Sequence, residues 1–503
     1  MNHHRLPLTL LVLLVSAVWG AEDWRLPAGH FEPARFPLTA IHPRPDSETS
    51  PEAYHRVAHP GMRWDCPVRA AFGAYPYHAQ IVTGPAGMTI GSWLAKQPDG
   101  ELTEDAAYCT LTWLKPSAGT HPIAVRITDQ EGKTVDCTWT LVVDEQHHYF
   151  VAPVATGKGD GSSRADQAAF SGVYGASDKD PSPAKGKVVV LATGSYPLTT
   201  AFHLVAAWGK PVSIMAYPGD RPEIVAQAPG VRFLANSNDI MLTGLRLRGF
   251  RISNAGIIST YNHVERLSVW RNSFVDCAGD PKVNNNESIW FCARTEGSVK
   301  RKHVMLAENT FEGCVDIAAF VFYAVGPLLS ERDVFTTTEA KIVEPVWFPK
   351  AVCDFDLRRH RFDNPGTGAP PYGVLDASNN VENGTASGEI RYNFVRAKAD
   401  GAAAFWNASA TAATKACHDY RNTYIGAAVV AKDWKKSNHV DFVADVMQNP
   451  QGGLANDSAG FAVRDGECHG KDGIVDQAGK LMGAALERFR GQRGYHIYDG
   501  RRK

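Results

Sequence analysis

The stretch that decides the fold is VWRNSFVDC, residues 269–277, read beside LAENTFEGC at 306–314. Each carries an asparagine, an aromatic residue two positions later, and a cysteine three positions after that. The phrase returns in looser form as LRLRGF (245–250), SERDVF (330–335), LRRHRF (357–362), IRYNFV (390–395), DYRNTY (419–424) and VADVM (443–447). Aligned on their apolar ends, these give Phe250, Phe274, Phe311, Phe335, Phe362, Val395, Tyr424 and Met447, spaced 23 to 37 residues apart. Two positions before each anchor stands Arg248, Asn272, Asn309, Asp333, His360, Asn393, Asn422 or Asp445.

A short minimum period with variable excess is the mark of a repeat that tolerates loops. Parallel strands stack at about 4.8 Å. A residue at each bend must leave the extended conformation, which Asn and Asp do at little cost. Stacked amides also bond one another along the axis. The apolar residue two positions later then returns inward. This pattern predicts an all-β chain with a parallel β-helix over 150–478. KVVVLATGSYPLT (187–199) and GKPVSIMAYPGDRPEIV (209–225) read as short strands joined by turns, which argues against a doubly wound sheet. LMGAALERFRG (481–491) reads as an amphipathic helix within a C-terminal segment, 479–503, that would cover the last coil. Cys277 and Cys314 fall at equivalent places on neighbouring coils, which suits an unbonded stack or a disulfide.

The coil phrases, with AYPGDRP (216–222), resemble the right-handed parallel β-helix of the pectate-lyase-like superfamily. That resemblance implies a carbohydrate-active protein, on a fold that hosts lyases, hydrolases, epimerases and adhesins. Upstream, GAYPYHAQIVTGPAGMTI (73–90) and LTWLKPSAGTHPIAVRITDQEGKTVDCTWTLVV (111–143) alternate as strands, with DQEGK as a hairpin turn. They resemble bacterial putative-Ig and cadherin-like modules. The resemblance implies a small Ig-like β-sandwich over 33–145, acting as a spacer or adaptor. Pairing of Cys137 with Cys66 or with Cys109 stays open.

The N-terminus, MNHHRLPLTLLVLLVSAVWGAED, has a short basic start and an apolar run from Leu6 to Val18. It reads as a signal peptide over 1–20, cut near Gly20, which predicts a secreted or periplasmic protein. No later run approaches the roughly 20 apolar residues of a spanning helix, so no membrane insertion is expected. Lys plus Arg number 52 against 53 Asp plus Glu, a formal net charge of -1. That balance supplies no field for nucleic acid, so a charged partner must be held by a local patch. None of the nine cysteines forms a CxxC pair, which excludes the usual zinc scaffold. A monomer is expected.

Candidate chemistry is sought on the strands that precede each coil phrase. In VWFPKAVCDFDLRRHRFDN (346–364), Arg359, His360 and Phe362 share the register of Arg271, Asn272 and Phe274. His360 is thereby a ladder residue, Arg358 matches no pattern, and Lys350 stands out on the strand beside Trp347 and Phe348. The resemblance implies a uronate-containing polysaccharide cleaved by β-elimination. Such chemistry needs a base, here Lys350, a proton donor, Tyr323, and a cation for the uronate carboxylate, Arg294. Trp290, Trp347 and Trp406 can stack on sugars, with Asn407 and Asp376 as polar contacts. Ca²⁺ is the cofactor this chemistry can use, and Asp280 and Glu287, flanking NNN in the longest gap, are its candidate oxygen ligands. The chain lacks the RHG phrase, the paired carboxylates and the clustered aspartates of well-known subfamilies. A glycoside hydrolase and a non-catalytic glycan binder are therefore the alternatives to a lyase.

Overall fold

A computed structural model describes most residues between 34 and 279 and, from 289 to 448, mainly the strands and some of the turns that join them. The signal peptide and the C-terminal helix lie outside the described residues.

Among the described residues, 57–143 form two small sheets of four and three strands and a two-stranded pair, Ala95–Lys96 with Leu102–Thr103. One orders Val57–Ala58, Thr134–Val143, Gly119–Thr128 and His78–Thr83; the other orders Trp64–Pro67, Thr110–Trp113 and Met88–Ile90. All pairings are antiparallel except that of Val57–Ala58. The expected hairpin is present, and Asp129 fixes its turn: its Oδ1 accepts from the backbone N–H of Glu131 and Lys133, both at 2.9 Å. Apolar residues alternate inward from both sheets, so Cys66, Leu111, Val125, Cys137 and Trp139 share one core. Cys66, Cys109 and Cys137 are buried free thiols.

The rest is all-β with three long parallel sheets of twelve, ten and eight strands. Successive strands of the chain are dealt among the sheets. Arg266–Trp270 lies in the twelve-stranded sheet, Ser273–Val275 in the ten-stranded and Ile289–Phe291 in the eight-stranded. This is the arrangement a parallel β-helix requires.

The ten-stranded sheet carries the apolar series in register: Phe274 opposite Phe311, then Phe335, Phe362, Val395, Tyr424 and Met447. The first three rings stack nearly flat, with centroids 4.8 and 4.7 Å apart. The first anchor differs from the sequence alignment. Leu247, not Phe250, pairs with Phe274. Arg246–Arg248 is a strand, so Arg248 is an exposed strand residue, and Leu245 takes the first ladder place. Phe250 packs instead on Phe233.

The ladder itself is buried and continuous. Leu245 N–H donates to Asn272 Oδ1 at 3.0 Å, Asn272 N–H to Asn309 Oδ1 at 2.9 Å, and Asn309 N–H to Asp333 Oδ1 at 2.8 Å. Asp333 N–H donates to His360 Nδ1 at 3.1 Å. The bend is made one residue earlier than the sequence suggested. Arg271, Glu308 and Arg332 take left-handed φ of 54°, 57° and 59°, with Gly244 (φ 72°) at the same place one coil before. A left-handed non-glycine residue costs about 1–2 kcal/mol. The ladder side chains offset that by satisfying backbone N–H groups the bend would otherwise strand.

Residues near the N-terminus pack on the outer face of the twelve-stranded sheet. Ile41, Tyr54, Val57, Ala71 and Phe72 form one core with Phe150, Met215, Met241, Trp270, Met305 and Leu329. The N-terminal region therefore covers the coils, which departs from the expected spacer.

Candidate functional site

Two stripes of residues run along the coils. The first lies on the eight-stranded sheet and holds several of the residues singled out in the sequence. Pairing runs Ser259–Trp290–Val321–Trp347–Asp376–Asn407, so Trp290, Trp347, Asp376 and Asn407 share one column on nearby coils. Trp406 belongs to the next column, with Val346 and Leu375. In a strand, neighbouring columns have opposite parity. The parity opposite to Trp290 begins with Phe233 and Ile258, both fully buried, and continues through Ile289. Lys350, Tyr323, Arg294, Asp280 and Glu287 lie outside the described residues. Among the described residues no group of three His, Cys, Asp or Glu is arranged to hold a metal ion.

The second stripe was not found from the sequence. It occupies the outer face of the twelve-stranded sheet, where one column reads Trp270–Ala307–Glu331–Arg358–Arg391 and its companion reads Met305–Leu329–Asp356–Glu389. The face is apolar on the early coils and becomes charged from Glu331 onward. Arg358 donates from Nε to Glu331 Oε1 at 2.9 Å and from Nη1 to Asp356 Oδ2 at 2.8 Å. It also reaches Tyr77 Oη and the Ala70 carbonyl, both at 2.6 Å. Arg391 grips Asp356 through Nε at 3.0 Å and Nη2 at 2.6 Å, and donates to the Gly73 carbonyl at 2.8 Å. Asp356 in turn accepts from Phe72 N–H at 2.8 Å. On the N-terminal side, Arg69 pairs with Glu308 and lies 3.3 Å from Glu331 Oε2.

Arg69, Glu331, Asp356, Arg358 and Arg391 are all fully buried. Burial would raise the Asp356 carboxyl, but the guanidiniums of Arg391 and Arg358 hold it below its ordinary value. Burial would likewise raise Glu308, yet Arg332, Arg69 and Arg271 bring it down to about 2. Burial lifts the Tyr77 hydroxyl well above the phenol range, so it stays protonated. The set is a closed ionic lock between the two parts of the chain, with no access for a substrate. Its signal was present in the sequence: the residue two before each ladder position turns from Trp270 and Ala307 to Glu331, Arg358 and Arg391. Arg358 belongs to this column, between Glu331 and Arg391, and not to the ladder.

The eight-stranded face is thus the candidate binding surface, and the twelve-stranded face is a docking surface within the molecule. No helix among the described residues is long and apolar enough to cross a membrane. No family model, curated protein or solved structure matches this chain.

Proposed function

We propose that this chain is a secreted carbohydrate-active protein that holds an acidic polysaccharide along the eight-stranded sheet and cleaves it by β-elimination. The observation that carries the reading is the single column of Trp290, Trp347, Asp376 and Asn407. Aromatic and polar positions follow one another in register along the stack, as an extended polymer needs. The coils would wind right-handed, the hand that parallel crossovers almost always take. The N-terminal sheets would form an Ig-like module, and the fold would be that of the pectate-lyase-like superfamily.

In this reading Arg294 pairs with the uronate carboxylate and makes the C5 proton acidic. Lys350 takes that proton. The electron pair forms the C4–C5 double bond, the C4–oxygen bond breaks, and Tyr323 protonates the leaving oxygen. Ca²⁺ held by Asp280 and Glu287 would assist charge neutralisation.

The test is purified protein incubated with pectate, alginate and glycosaminoglycans, with and without Ca²⁺. Unsaturated products absorbing in the ultraviolet are expected. Lys350→Ala should lower kcat by about 10²-fold or more. Reducing ends without absorbance would replace the lyase by a hydrolase, and full activity of Lys350→Ala would remove the base.

A further inference from the structure

Cys277 and Cys314 meet inside the stack. Val275 pairs with Glu312, and two further residues in the same register set Cys277 beside Cys314. The chain bends alike before each: Asp276 and Gly313 take left-handed φ of 49° and 62°, as Gly249 does at 74° one coil earlier. The residue after each bend is carried inward, so Phe250, Cys277 and Cys314 are all buried. Each thiol donates to a carbonyl of the coil before it, Cys277 Sγ to Leu247 O at 3.5 Å and Cys314 Sγ to Phe274 O at 3.4 Å. The two also hydrogen-bond one another. Both are free thiols in the structure.

Between them the chain makes one whole coil, through Ile289–Phe291, Val304–Ala307 and Thr310–Glu312 in the three long sheets. It is the longest of the repeat, with 37 residues from Phe274 to Phe311 against 23 to 33 for the others. A longer loop loses more entropy on closing, so a cross-link stabilises most at this coil. Neighbouring strands place their Cα atoms about 4.8 Å apart, inside the range a disulfide spans. Rotation about χ1 of either cysteine, with loss of its carbonyl hydrogen bond, turns its sulfur toward the other.

We propose that Cys277 and Cys314 form an inter-coil disulfide when the chain folds in an oxidising environment, closing the longest coil into a covalent ring. The step is thiol–disulfide exchange with a small disulfide such as oxidised glutathione. The Cys277 thiolate attacks one sulfur of the oxidant and releases a thiol. The Cys314 thiolate then attacks the Cys277 sulfur and releases the second. The two thiol protons end on the released thiols, and the two electrons end on the oxidant's sulfurs. Burial would raise the Cys277 thiol, yet the hydrogen bond from Cys314 and the Phe250 backbone bring it below its ordinary value, which makes it the attacking sulfur. The same bond and burial hold Cys314 well above its own. Because both sulfurs are buried, exchange takes place while the coil is closing, and the finished bond is shielded from reductant. Export would supply the environment.

The experiment is refolding of the full chain from urea in a glutathione buffer, then alkylation in denaturant, proteolysis and mass spectrometry. The buffer sets the redox poise, so the outcome depends neither on export nor on the glycan reading. Peptides linked through Cys277 and Cys314 are expected, with a thermal midpoint about 5 °C above that of the chain refolded with reductant. That difference should vanish in the variant carrying Cys277→Ala and Cys314→Ala. An equal difference in the variant overturns the covalent ring as its source. Recovery of both cysteines alkylated, or of either linked elsewhere, overturns the proposal whether or not the variant folds.

Discussion

Two buried polar systems lie two residues apart in the same coils, and they are satisfied in opposite ways. The ladder residues Asn272, Asn309, Asp333 and His360 find their partners one coil away. The column beside them, Glu331 and Arg358 with Arg391, finds much of its satisfaction 281 to 318 residues away, on Tyr77, Ala70 and Gly73. The first system can close as each coil is laid on the last. The second closes only when the N-terminal region has docked. Ladder hydrogen bonds are neutral or nearly so, whereas the lock gathers several full charges where no water reaches. Desolvating those charges costs so much that the lock specifies how the two parts dock more than it adds net stability.

The largest expected effect follows from that asymmetry. Arg358→Ala would leave Glu331 without its 2.9 Å partner and remove one of the two guanidiniums that hold Asp356 ionised. Losing one member of a buried ionic set costs about 3–5 kcal/mol. Urea denaturation of the variant should show a loss of that order, with coils and N-terminal region no longer unfolding together. A loss below 1 kcal/mol would mean that the lock is wet, and the contrast with the ladder would fail.

The difference also explains what was legible in the sequence. The ladder and the apolar series recur along the chain because each residue's environment recurs, so an alignment of phrases exposes them. That alignment failed only at Phe250, where Gly249 with φ 74° adds a bend that periodicity cannot see. The candidate glycan column was partly legible, since Trp290, Trp347, Asp376 and Asn407 sit on strands read from the same phrases. Trp406, one residue from Asn407, shows the limit: parity within a two-residue strand decides its column, and sequence does not set parity there. The lock was legible only on its coil side, where Glu331, Arg358 and Arg391 recur two residues before the ladder; Arg69 and Tyr77, which complete it, belong to no repeat. Their proximity is a product of docking alone.

A smaller effect is expected in the ladder. Asn309→Ala removes the acceptor for Asn272 N–H and the donor to the Val269 carbonyl at 2.9 Å. Leaving buried backbone groups without partners costs about 1–3 kcal/mol. Because ladder and lock share no direct partner at this coil, Asn309→Ala and Tyr77→Phe should add to within roughly 0.5 kcal/mol in a double-mutant cycle measured by denaturation. A larger coupling would show that the ladder responds to docking, which the separation of partners denies.

The smallest effect tests whether the ladder is neutral. Burial raises the Asp333 carboxyl to about 7, against the hydrogen bonds it accepts from Asn309. In the unfolded chain the same group ionises near 3.9. Between those values the folded chain keeps a proton that the unfolded chain has lost. Stability from this group is therefore present below about pH 4, falls as pH rises to about 7, and is flat above. His360, pulled down to about 3 by burial, has the opposite slope, losing stability as pH falls from about 6.5. Asp333→Asn removes only the first slope. Its Oδ1 can still accept from Asn309, and its amide can donate to Ser330 Oγ, which lies 3.1 Å from Asp333 Oδ2. The variant should be more stable than the parent at pH 8, with the gain vanishing near pH 4, as read from urea midpoints across that range. A gain that does not change with pH would mean that Asp333 is ionised in the folded chain, and the ladder, like the lock, would then carry charge.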